Sequence, residues 1–66
     1  MNVVVNGTPV DHAEGATLTD VVAAITTAAQ GIAVALNGTV VSRGAWARTV
    51  VSDDDRVEIL TAVQGG

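Results

Sequence analysis

TLTDVVAAITTAAQG, residues 17–31, is the stretch on which the fold turns. Thr17 suits the position just before a helix, because its hydroxyl can accept a hydrogen bond from a free first-turn amide. Asp20 stands three positions on, where an acid can reach back to the Thr17 amide in a weak form of the reciprocal cap. Its charge also faces the positive end of the helix dipole. Leu18, Val21, Val22, Ile25, Ala28 and Ala29 recur at three- and four-residue spacing and form one apolar stripe, with Thr26, Thr27 and Gln30 outside it. Gly31 is a natural C-cap. The pattern predicts one amphipathic helix that starts at Thr17 and is closed by Gly31.

Hairpin signals flank this segment on both sides. Asn6-Gly7 and Asn37-Gly38 are dipeptides that fit a type I′ turn, in which both central residues need positive φ. The first joins a valine-rich strand, residues 1–6, to a return strand at 8–12. Pro9 cannot donate a ladder hydrogen bond, so that return strand belongs at a sheet edge. The second joins Ile32–Leu36, with Ile32, Val34 and Leu36 on one face, to residues 39–42. Residues 43–52 read as irregular, with Trp46 inside them. The run Asp53-Asp54-Asp55 reads as a turn. A last strand follows at 56–61, with Val57 and Ile59 on one face and Glu58 and Leu60 on the other. The order ββαβββ, with one helix to cover one face, predicts an α+β fold: a mixed sheet packed on a single helix.

Composition narrows the function. The 66 residues make one small domain, carry seven acids against three arginines, and have a formal charge of −4. Lysine is absent, which argues against nucleic acid and anionic membranes, both of which are held by cationic side chains. Without cysteine there is neither a disulfide nor a thiolate metal site. No leader or membrane-spanning run is visible, so a soluble cytoplasmic protein is expected.

Catalytic and metal constellations are missing from the sequence. His12 has no placed nucleophile or orienting acid and reads as a strand-edge histidine. Asp53-Asp54-Asp55 lacks the spacing of a calcium loop; it reads as a solvated turn, with Asp53 and Asp55 as candidates for an acidic patch that meets a basic partner. Trp46 is either a ring tucked into the core or a partner-facing anchor. Leu60, Ala62 and Val63 are either buried or an apolar docking surface beside the tail. The chain finishes on Gly65 and Gly66, which have no side chains. Residues 62–66 therefore read as a slim tail able to enter a narrow site.

Taken together, "VNG" at 5–7, "EGATLTDVV" at 14–22, "VALNGTVV" at 34–41, "DRVEIL" at 55–60 and "AVQGG" at 62–66 resemble the ThiS family of thiamine-biosynthesis sulfur carriers. The resemblance spans essentially the whole chain. It implies a ubiquitin-like β-grasp fold and a carrier in place of an enzyme. In that role an E1-like (ThiF-like) adenylyltransferase would use ATP and Mg²⁺ to adenylate the Gly66 carboxylate. A persulfide-derived sulfur, from a donor such as a cysteine desulfurase, would convert it to a thiocarboxylate. A ThiG-like thiazole synthase would then take the sulfur. Where the family reads Asp-Gly-Asp before the last strand, this chain has Asp54 in the middle, and a left-handed turn there is tolerable for Asp. Other readings stay open: a carrier for molybdopterin, cysteine or tRNA thiolation, a modifier joined to other proteins, or a non-covalent β-grasp binding module whose glycines are incidental.

Overall fold

In the computed structural model, residues 1–27 and 31–61 are described. Strands β1 (Asn2–Val5) and β2 (Thr8–Asp11) form the first hairpin and β3 (Ile32–Leu36) and β4 (Thr39–Val41) the second. Helix α1 (Leu18–Ile25) lies between the hairpins, and β5 (Arg56–Thr61) comes last. The strand order is β2-β1-β5-β3-β4. β5 pairs parallel with β1 and antiparallel with β3, so the final strand occupies the middle of the sheet. This mixed sheet on one helix is the β-grasp arrangement, and Pro9 sits on an edge strand as its missing N–H requires.

Both Asn-Gly turns adopt the expected mirror-image geometry. Asn6 and Gly7 have φ 49° and 81°, and Asn37 and Gly38 have φ 50° and 85°. Asp54 is also left-handed, at φ 67°. The start of α1 carries the full reciprocal cap. The Thr17 hydroxyl accepts from the Asp20 amide at 3.4 Å, and the Asp20 carboxylate accepts from the Thr17 amide at 2.9 Å. Replacing Thr17 by Ala is expected to lower stability by about 1 kcal/mol, seen as a lower urea midpoint with unchanged slope.

The helix ends earlier than its apolar stripe predicts. It stops at Ile25, and Thr26 is extended at φ −149° and ψ 151° while its amide still bonds Val22 O. Ile25, Thr26 and Thr27 are three consecutive β-branched residues, which lose rotamer freedom in a helix, and this favours an early stop. Gly31 is therefore not the cap; it has φ 72° on the approach to β3. Ala28, Ala29 and Gln30 lie outside the described residues.

Residues 43–52 are more ordered than their sequence suggests. Arg43–Arg48 form a 3₁₀ helix. The segment after it docks on the start of α1: Leu18 N–H donates to Thr49 O, and Val51 N–H to Ala16 O. The core joins Val3 and Val5 of β1, Val34 of β3, Val57 and Ile59 of β5, and Leu18, Val21 and Val22 of α1, with Trp46 and Val51 from this segment. Among the described residues no helix is long and apolar enough to cross a membrane.

Candidate functional site: the root of the tail

β5 leads directly into the chain's last five residues, so its far end is the root of the proposed tail. Ala62, Val63, Gly65 and Gly66 all lie outside the described residues. Leu60 is the last large side chain before them, and it is 69% exposed. The alternation of β5 explains this: Val57 and Ile59 point into the core, so Glu58 and Leu60 point outward. Leu60 pairs with Ala33 across the β3 ladder, and Ala35 pairs with Val40 across β4. Ala33, Ala35 and Leu60 therefore share the outer face with Val40, itself 76% exposed. A shallow depression lined by Gly31, Ile32, Ala33, Leu60 and Thr61 adjoins the root.

Two asparagines bind this strand from opposite flanks. Asn6 Nδ2 donates to Ile59 O at 3.1 Å, and Ile59 N–H donates to Asn6 Oδ1 at 2.7 Å. Asn37 Oδ1 accepts from Arg56 N–H at 2.9 Å, while Asn37 Nδ2 donates to Asp55 Oδ1 at 3.0 Å. The sequence reading found both as turn residues and missed these side-chain contacts. The dipeptide pattern carries no trace of partners that lie so far along the chain.

The acidic turn is elsewhere. It precedes β5, whereas the tail follows it, and a six-residue strand spans roughly 20 Å. All three carboxylates are engaged with the fold. Asp53 Oδ1 accepts from Asn2 N–H at 2.7 Å, Asp54 Oδ1 from Asn2 Nδ2 at 3.1 Å, and Asp55 Oδ2 from Ser52 N–H at 2.7 Å. Asp53 and Asp55 thus do not join Leu60 in one surface; they tie β1 and the turn together at the opposite pole.

Trp46 is a core residue. Its ring is 5% exposed, and its Nε1 donates to Val41 O at 2.9 Å. The Arg43 guanidinium lies 5.4 Å from the ring centroid. The structure therefore places the indole inside the domain and not as a partner-facing anchor. It forms one wall of a groove against α1 with Val22 and Ala23.

No chemistry-bearing cluster gathers among the described residues. No three His, Asp or Glu side chains stand where they could hold a metal. His12 Nε2 is shielded from solvent and has no described partner. Its backbone serves the amino end: the Met1 ammonium donates to His12 O at 2.7 Å and to Asp11 Oδ1 at 3.1 Å. The Asp11 carboxylate raises the pKa of that ammonium above its usual 8.0.

Comparison with known proteins agrees with this architecture. The sequence model of the ThiS family matches residues 2–66. A crystal structure of the thiamine biosynthesis protein ThiS from Geobacter metallireducens superposes with a TM-score of 0.80, at 42% identity over 100% of both chains. A solution structure of a thiamine biosynthesis protein from the same organism gives 0.81 and 42%, over 100% of this chain and 88% of that one. A thiazole synthase of Magnetococcus marinus is 33% identical over 66 residues, and the chain spans only 20% of that protein's length.

Proposed function

The chain belongs to the ThiS family, and from that premise we propose that it is the sulfur carrier for thiazole formation in thiamine biosynthesis, with the Gly66 carboxylate as its working group. The observation that carries this reading is the extent of the family match. It runs to residue 66, so the terminal glycine pair falls inside the matched region. The similarity of the whole chain to a fifth of a thiazole synthase supports that enzyme as the sulfur acceptor and favours the thiazole branch over other sulfur-transfer pathways.

The chemistry follows from the reactivity of a carboxylate. Its charge is delocalised and its oxygen leaves poorly, so it must be activated before sulfur can enter. An E1-like adenylyltransferase joins the carboxylate to the AMP portion of ATP and releases pyrophosphate, its Mg²⁺ managing the phosphate charge. The outer sulfur of a persulfide, R–S–SH, attacks the acyl-adenylate and expels AMP, giving an acyl disulfide on Gly66. A second thiol on a partner enzyme then attacks the R-side sulfur, so that the thiocarboxylate leaves and the two thiol sulfurs end as a disulfide. This domain supplies recognition. Leu60 and its apolar neighbours on the outer sheet face offer the contact surface. The net charge of −4 favours a basic partner and acts mainly on encounter rate.

Intact-mass spectrometry tests the reading. After incubation with the adenylyltransferase, ATP, Mg²⁺ and a sulfur source, the chain is expected to exchange one oxygen for sulfur, located on Gly66 by fragmentation. An unmodified C-terminal peptide, under conditions that convert a known carrier, overturns it.

A further inference from the structure

The last backbone pair between β1 and β5 is Val5 with Val57, yet β5 continues for four more residues to Thr61. On this flank the odd-numbered positions of the last strand present their backbone groups. Val4 N–H donates to Asp55 O and Asn6 N–H to Val57 O, both at 2.9 Å. Ile59 is next in that series, and its partner is a side chain. The Asn6 carboxamide accepts from Ile59 N–H and donates to Ile59 O, so it stands in for the peptide that β1 no longer supplies. A primary amide can do this because it carries a donor and an acceptor side by side.

We propose that Asn6 is a positioning residue for the tail: its carboxamide fixes the outgoing end of β5, from which residues 62–66 depart. Without it, the end of the strand is held from the β3 flank alone, where Ala33 stands opposite Leu60. A partner enzyme must then order the root as it binds, and that cost falls on affinity and not on the chemical step. The functional part of this inference rests on the sulfur-carrier reading.

Asn37 supplies a matched control inside the same molecule. It occupies the same turn position, with φ 50° against 49°, and bonds the same strand, but at Arg56, the end away from the tail. Asn6→Gly and Asn37→Gly each leave a Gly-Gly turn, which the I′ geometry accepts. Each removes one side-chain amide.

Two readouts on the full chain separate positioning from stability. The first is ¹⁵N relaxation at Leu60 and Thr61 without any partner. The second is pyrophosphate release by the adenylyltransferase with ATP and Mg²⁺, the carrier concentration being varied. Asn6→Gly is expected to increase fast backbone motion at Leu60 and Thr61. It should also raise KM about tenfold at unchanged kcat, the worth of one or two neutral hydrogen bonds. Asn37→Gly is expected to lower the urea midpoint similarly while leaving both readouts at their wild-type values. Equal behaviour of the two variants overturns the assignment. If Asn6→Gly does not fold, Asn6→Asp decides, because it keeps the acceptor for Ile59 N–H and loses the donor to Ile59 O; unaltered relaxation in that variant overturns the assignment too. Failure of the wild-type chain to be adenylated would be a failure of the carrier reading, and the relaxation experiment would still judge Asn6 by itself.

Discussion

A chain lacking Gly66 is expected to melt at the same temperature as the intact protein and to acquire no sulfur. The core of the described residues runs from Val3 to Ile59, and Gly66 has no side chain to add to it. The new terminal carboxylate, on Gly65, falls roughly 3.5 Å short of the old one, one residue of extended chain. A displacement of about 1 Å in a reacting group can already cost on the order of a hundredfold in rate. The expected loss in adenylation is therefore well above a hundredfold, read as pyrophosphate release at saturating ATP. Wild-type rates from the shortened chain would remove the terminal carboxylate from its role. The same result with partner affinity intact would favour a binding module whose glycines are incidental.

The largest expected effect on stability is at Trp46. Its ring is buried and its indole N–H is bonded to Val41 O. Truncating a buried Trp to Ala typically costs about 3–5 kcal/mol, and a domain of this size rests on a core worth about the same amount. Trp46→Ala is therefore expected to be largely unfolded at 25 °C by far-UV circular dichroism. Trp46→Phe keeps most of the volume but leaves Val41 O without that donor, at a cost of about 1–2 kcal/mol. It should remain folded with a lower urea midpoint. An unchanged melting temperature in Trp46→Ala would move the ring from the core to the surface.

The parts of this fold that could be read in advance are those whose causes are local. Asn-Gly specifies a mirror-image turn from two residues, Thr17 and Asp20 specify a cap from four, and alternation along 56–61 specifies which side chains face out. That alternation put Leu60 on the face opposite Val57 and Ile59 but left its burial open, and the fold settles it as exposed. What escaped depends on contacts between distant parts of the chain. Residues 43–52 show no periodicity, because their order comes from Trp46 entering the core and from backbone bonds to Ala16 and Leu18. The helix stripe ran past Ile25 because apolar spacing says nothing about three successive branched side chains. The sequence does not reveal that the acidic turn bearing Asp53 and Asp55 and the outward-facing Leu60 stand at opposite ends of β5, because strand length enters only with the fold. The amide contacts of Asn6 and Asn37 join residues 53 and 18 positions apart, respectively.

Because β1 and β5 run in the same direction, the amino end and the tail root occupy opposite poles of the sheet. Asn2 meets the acidic turn at one pole, and Thr61 stands at the other. A bead, a surface or a reporter group coupled on the amino side would therefore leave the Thr61 end of β5 facing outward. Immobilised in that orientation, the protein becomes a directional bait with which to capture the enzymes proposed to act on Gly66.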